Sequence, residues 1–256
     1  MHGSAVFWAV ALTAVTLTGL SKGGFAGVGA ISTPMLALVM PPASAAALLL
    51  PILILQDMVG VWAFRRTIDR RILMIMLPGA ALGIVAAALF ASRAPQQAMM
   101  VTLGLISIAF GGFRLWGARP GAAAVASPGK GPVGFLLGIA SGFSSQIAHA
   151  GQPPFQIWVL PQRLEANVLI GTSALYYAAL NWMKLPAFAL TGQFARVDLT
   201  RLLVLAPVSV ATTLLGVWLV RRVEASRFYL FIFASMIGVG GLLLAEGLGL
   251  FARHAS

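Results

Sequence analysis

Two short polar stretches in an otherwise apolar chain hold most of the residues able to do chemistry. The first, SKGGFAGVGAISTP (21–34), combines one cation, Lys22, with the hydroxyls of Ser21, Ser32 and Thr33 and with Gly23, Gly24, Gly27 and Gly29. The second, SGFSSQIAHAGQPP (141–154), offers Ser144, Ser145, Gln146, His149 and Gly151. Glycines and prolines at this density free backbone N–H groups from regular helix. A helix that resumes after such a break aims its positive end and its free N–H groups at whatever lies ahead, an arrangement that suits anions. Two such stretches facing each other would suit a small tetrahedral oxyanion held by hydroxyls, amides and Lys22.

A third set of polar residues is periodic. Ser173, Tyr177, Asn181 and Lys184 are spaced four, four and three, so a helix places them on one face. Gln56 and Asp57 interrupt another apolar run, and apart from Glu246 near the C-terminal end no other acid lies well inside one. Asp57 reads as a proton-coupling site or as the partner of a buried cation, and His149 as a second candidate for coupling. Plainer readings stand beside these. Glycine-rich stretches also serve as close-packing surfaces, Lys22 and Lys184 as helix-end anchors, and His149 as a hydrogen-bonded packing residue.

The elements that must position these groups follow from composition. The chain has 256 residues, 59% hydrophobic and 9% charged, against about 25% charged in a soluble domain. That excludes a soluble globular domain, a disordered chain and an amphipathic surface binder, and leaves an integral membrane protein. The net charge of +11 comes from basic residues in short gaps between apolar runs, as in loops that hold topology, so no nucleic-acid partner is expected. With no cysteine and three scattered histidines, His2, His149 and His254, no metal site and no cofactor is expected.

A bilayer core takes about 20 apolar residues per helix. This predicts full spans near 5–21, 43–64, 72–91, 98–116, 133–148, 164–184, 202–220 and 228–250, with broken or re-entrant pieces near 23–40 and 149–162. No run alternates as a membrane β-barrel would. The expected fold is therefore an all-α integral membrane protein with about eight full transmembrane helices and two broken or re-entrant segments. The N-terminal run reads as a retained helix, since no basic residue precedes it and no cleavage site closes it.

Two homologous halves are expected, residues 1–118 and 133–256, joined by a Pro/Gly/Ala/Ser linker over 119–132. Gly19-Leu20-Ser21 is matched by Gly142-Phe143-Ser144, and Pro34 and Pro41 are matched by Pro154 and Pro161 at an offset of 120. The same offset sets Asp57 against Tyr177. Such duplication, with corresponding broken segments, marks secondary transporters. Arg65, Arg66, Arg70 and Arg71 share a side with Arg119 and Lys130 of the linker, and that side should be cytoplasmic. Gly129-Lys130 lacks the rest of a phosphate-binding loop, so ATP-driven transport by this chain alone is not expected.

The stretches GLSKGGFAGVGAISTPMLAL (19–38), SSQIAHAGQPPFQIWVLPQRL (144–164) and GTSALYYAALNWMKLPAF (171–188) resemble the sulfite exporter TauE/SafE family of membrane permeases. The resemblance covers nearly the whole chain. It departs at Gly27-Val28-Gly29-Ala30 and at His149–Pro153, where the family's commoner pattern is a Gly-x-Gly-Gly-Gly run before the proline. It implies a permease, not an enzyme, moving sulfite, an organosulfonate or a related organic anion across a bacterial cytoplasmic membrane, with the lipid bilayer and a small anion as partners and a homo-oligomer left open. The expected contacts are Ser21, Lys22, Gly23, Gly24, Gly27, Gly29, Ser144, Ser145, Gln146, His149, Gly151 and Asn181. Two other classes stand against this: an intramembrane serine protease using Ser144 or Ser145 with His149, and a membrane scaffold that transports nothing.

Overall fold

The computed structural model describes residues 2–25, 27–117, 129–220, 222 and 226–250, and among them every regular element is helical. Ten α-helices follow in chain order: α1 (His2–Lys22), α2 (Ser32–Ala37), α3 (Pro42–Phe64), α4 (Arg70–Arg93), α5 (Gln96–Gly117), α6 (Gly131–Ala148), α7 (Gln152–Val159), α8 (Ala166–Leu190), α9 (Leu199–Leu219) and α10 (Ser226–Gly247). Short 3-10 turns precede α2 and follow α7 and α8. The eight expected spans correspond to α1, α3–α6 and α8–α10, and the two broken pieces to α2 and α7 with their turns. Six of the eight are long and apolar enough to cross a bilayer by length and composition alone; α6 and α8, which carry the polar residues, are not among those six. Arg119, His254 and most of the linker lie outside the described residues.

The first broken piece turns back. Phe7 and Ala11 of α1 cluster with Ala45 and Leu48 near the start of α3, and Lys22 meets Asp57 farther along it, so α1 and α3 run the same way. α1 therefore ends well before the end of α3. Phe25 N–H donates to the Leu20 carbonyl and Gly24 N–H to that of Ser21, a Schellman closure with Gly24 at φ 132, a backbone angle that a side chain would strain. α2 then returns along α1, pinned where the Ser32 hydroxyl donates to the Ala14 carbonyl at 2.8 Å. α6 and α7 form the second hairpin. His149 caps α6 in the left-handed conformation (φ 51), Ser141 Oγ donates to the Gly151 carbonyl at 2.6 Å, and Trp158 Nε1 brings the end of α7 back to the Lys130 carbonyl. Pro153 and Pro154 open α7, removing N–H groups that would have no helical partner.

The long helices clasp across the chain. α4 lies along α6 in the same direction, with Gly79 and Gly83 against the Phe135 and Ile139 carbonyls and Gly138 and Gly142 against those of Met76 and Ala80. α1 lies along α9 in the same way through Gly19, Gly23 and Gly216. α3 and α8 run antiparallel, as do α5 and α10. α4 and α9 also share a start: Asp69 and Asp198 cap them through their carboxylates, and Pro78 and Pro207 each sit nine residues beyond the cap.

Followed through these pairings, Arg65, Arg66, Arg70, Arg71, Lys130, Arg163 and Arg222 fall at one end of the bundle. Arg93, Arg196 and Arg201 fall at the other, where α1 begins and α10 ends. The positive-inside rule makes the richer end cytoplasmic. In a chain without cysteine, Arg66→Cys and Ser92→Cys, both exposed, should then react with a membrane-impermeant maleimide from opposite faces, Ser92→Cys from outside. Packing gives a second expectation. Gly142→Leu should destabilise the detergent-solubilised protein by about 2 kcal/mol or more through overpacking against the Ala80 backbone, read as a fall in melting temperature, whereas Gly112→Ala, with open space at its Cβ, should leave it within about 0.5 kcal/mol.

Candidate functional site

The two hairpin tips meet between α3 and α8. Lys22, in the last turn of α1, forms an ion pair with Asp57 Oδ1, and the other oxygen of Asp57 accepts from Asn181 Nδ2 at 2.5 Å. The pair is largely removed from water, with Lys22 13% and Asp57 2% exposed. Lys22 Nζ also lies 5.5 Å from the centre of the Tyr177 ring, a cation–π distance. Gln56 holds α1 against α3 at the same level, donating to the Val15 carbonyl and to Thr18 Oγ1.

A second cation stands across from the first. Lys184 is fully buried, and its Nζ lies 3.2 Å from Ser145 Oγ, 3.3 Å from the Ser145 carbonyl and 2.6 Å from His149 Nδ1. The reading of Lys184 as a helix-end anchor is therefore corrected. α8 does not stop at 184 but continues through Pro186 to Leu190, so Lys184 sits inside the helix and points at the tip of α6. His149 Nε2 lies 3.0 Å from the Ala46 carbonyl, which can only accept, so Nε2 carries a proton and Nδ1 faces the lysine.

Between these groups is a cavity of about 40 Å³ lined by Thr18, Ser21, Lys22, Gly29, Ala30, Leu53, Ser145, His149, Gly151, Gln152, Tyr177 and Asn181. It has room for more than a single water. Each hairpin contributes both the end of its first helix and the start of its returning arm, Gly29–Ala30 from one and Gly151–Gln152 from the other. A larger cavity of about 150 Å³ shares Ser21, Lys22, Gln152 and Tyr177 with it and reaches Leu160 and Leu169; a third, of about 420 Å³, continues from Ile170 to Arg65 and Arg66 at the basic end. Toward the other end the way is filled by a dry cluster of Ala46, Ala47, Leu50 and Phe188, the last 6.4 Å from the His149 ring.

Of the expected contacts, Ser21, Lys22, Gly29, Ser145, His149, Gly151 and Asn181 line the smaller cavity and Gly24 the larger one. Gly23 and Gly27 do not. Gly23 packs on the Gly216 backbone with its N–H bound to the Gly19 carbonyl, and Gly27 faces the rings of Phe110 and Phe233. Ser144 is turned into its own helix, donating to the Ala140 and Ser141 carbonyls. Gln146 is buried outside the cavity lining. Lys184, Gln152 and Thr18 join the site without having been among the expected contacts. Lys184 had a signal in its place on the stripe of α8, and Gln152 stands beside the break; Thr18 had none, lying in what reads as plain helix. Among the described residues Gln152 Oε1 and the Tyr177 hydroxyl are buried without a hydrogen-bond partner, as polar atoms are where water or a ligand completes a site. Among the described residues no side-chain hydrogen bond joins either serine hydroxyl to the His149 ring, because Ser144 Oγ, Ser145 Oγ and both imidazole nitrogens are engaged elsewhere.

A multi-pass helical bundle with two broken hairpins, one lysine at a hairpin tip, a second reaching the other tip from α8 and a cavity leading to one face has the build of a membrane transporter. The chain belongs to the sulfite exporter TauE/SafE family, whose model matches residues 11–243. No curated protein and no solved structure matches it.

The ion pair supports a test of its own. Asp57→Leu should strand Lys22 and lower stability by about 3 kcal/mol or more. The double change Lys22→Met with Asp57→Leu should recover most of that loss, as read from melting temperatures in detergent.

Proposed function

We propose that this protein is a secondary transporter that carries a small sulfur-containing or organic anion, such as sulfite or an organosulfonate, out across a bacterial cytoplasmic membrane. One observation carries the reading: of the two lysines beside the cavity, Lys22 has a carboxylate partner and Lys184, among the described residues, has none. Asp57 answers Lys22, but Lys184 is fully buried and its partners among the described residues are Ser145 and His149. An uncompensated buried cation is costly, and an anion in the cavity beside it offsets that cost.

The residues divide the work by chemistry. Lys22 and Lys184 supply charge, and Asp57 holds Lys22 in place. Asn181, Ser21, Ser145, Gln152 and the first turns of the two returning arms supply donors around the oxygens of the anion. Asp57 and His149 are the groups able to carry a coupling proton. Gly23, Gly24 and Gly27 serve as closure and packing, which lets the tips approach.

Residues 1–118 and 133–256 are proposed as inverted copies joined by 119–132. The support is the recurrence of the pairings: α1 on α9 answers α6 on α4, and the two proposed equivalents α3 and α8 run antiparallel, as a two-fold axis in the membrane plane requires. α3 and α8 begin after residues of like conformation, Pro41 and Glu165, and that spacing makes Asp57 the counterpart of Asn181, 124 residues on, instead of Tyr177. The cavities that reach the basic end correspond to a cytoplasm-facing state, in which an exporter loads. The Phe188 cluster would then be the closed outer gate.

The test is flux. Purified protein in liposomes should carry labelled sulfite, sulfoacetate or methanesulfonate faster than a carboxylate control, and Lys184→Met should lower that flux at least tenfold while the protein keeps its fold in detergent. Absence of flux for every anion, with and without a pH gradient, overturns the reading. A serine-reactive probe that labels Ser144 or Ser145 would favour the hydrolase alternative.

A further inference from the structure

We propose that Lys184 and His149 form a one-proton switch that takes up a proton with each anion bound, so that anion and proton occupy the site together. The inference rests on the anion-transport reading above and names its coupling group.

The argument is a count of hydrogens. His149 Nε2 is committed to the Ala46 carbonyl, 3.0 Å away, and must bear hydrogen. His149 Nδ1 and Lys184 Nζ lie 2.6 Å apart, a hydrogen-bond distance that admits one hydrogen between them. With the cavity empty, Lys184 Nζ donates that one hydrogen to a neutral imidazole. A second proton on Nδ1 would set two N–H groups against each other and force them apart, which is unfavourable unless another acceptor is at hand.

A bound anion is that acceptor. His149 and Ser145 line the cavity and Lys184 stands directly behind them. When an oxygen of the anion arrives, a proton from the vestibule adds to Nδ1 and makes the imidazolium. Lys184 Nζ turns its hydrogen from Nδ1 to the anion or to Ser145 Oγ. One O–H bond of a hydronium ion in the vestibule breaks to leave water, one N–H bond forms on His149, no heavy-atom bond changes, and the added charges cancel for a monoanion.

The other charged or titratable groups around the cavity are Lys22 of α1, Asp57 of α3 and Tyr177 of α8. Lys22 and Asp57 already neutralise each other, which leaves the Lys184–His149 pair as the place where a further proton has work to do. Phe188, stacked on the imidazole at 6.4 Å, belongs to the cluster that closes the outer end, so a turn of the ring is felt at that gate. The left-handed backbone of His149 (φ 51), uncommon outside glycine, holds the ring at this junction.

The experiment uses the full chain in detergent with methanesulfonate and sulfate, which stay fully ionised near neutral pH, and with sulfite. Binding heats measured in buffers of different ionisation enthalpy count the protons taken up. The expected result is close to one proton per methanesulfonate, with affinity falling about tenfold per pH unit as pH rises above the range where the empty pair protonates. His149→Gln keeps an amide donor for Ala46 and an acceptor for Lys184, and should bind the anion with no proton uptake. The three histidines of the chain also allow nitrogen NMR of the unaltered protein, in which one imidazole should become doubly protonated on binding. Binding without proton uptake overturns the switch and leaves the transporter reading standing, as does uptake that persists in His149→Gln. Failure to bind any of the three anions overturns both.

Discussion

The buried pair of Lys22 and Asp57 is the interaction on which the rest of the arrangement depends. A lysine cannot end a helix inside the bilayer without an answering charge, and a carboxylate cannot sit in mid-helix without donors. Each resolves the other's problem, and Asn181 takes the remaining oxygen of Asp57. With this cluster in place α1 is free to stop short, Gly24 to reverse the chain, and the returning arm to face a cavity instead of lipid. Loss of the pair removes the reason for the first hairpin to remain where it is.

The second hairpin reaches the same point by different chemistry. Its tip bears no charge of its own; the cation comes from α8, as Lys184, and is received by Ser145 and His149. The two tips thus share a shape and differ in polarity: one is locked by an ion pair, the other holds a cation without a counter-charge. The family match spans residues 11–243, both hairpins included.

Much of the scaffold was legible because lipid imposes simple lengths. Apolar runs bounded by arginine or proline became helices near their expected limits, and the glycine-rich and proline-rich stretches became the hairpins. The site was legible only where polarity interrupted apolarity, as at Lys22, Asp57, His149 and Asn181. Glycine was ambiguous, because the same residue serves as a turn at Gly24, as a cavity wall at Gly29 and as a packing surface at Gly23. Only the neighbour across the interface decides which, and that neighbour is distant in the chain. Lys184 had two readings, one on the polar face of its helix and one as a helix-end anchor before Pro186; the anchor fails because inside a bundle a helix continues past proline when neighbouring groups tolerate the lost hydrogen bond. The offset of 120 taken from the prolines matches the starts of the two returning arms, Ser32 and Gln152, whereas the bonded residues Asp57 and Asn181 lie 124 apart.

The cross-clasped glycine interfaces also bear on how the chain is made. α1 packs backbone to backbone on α9, a partner that leaves the ribosome long after it, whereas α4 finds α6 after a short interval. During synthesis the first hairpin must therefore wait beside the insertion machinery with its closest-packed face open, while the centre of the bundle is already assembling around it. The hairpin is clamped when α9 arrives, and α10 then closes on α5 and on the returning arm. A truncation between α8 and α9 leaves behind a product in which the lysine, its carboxylate and Asn181 are present but the packing face of α1 is open, a natural target for membrane quality control.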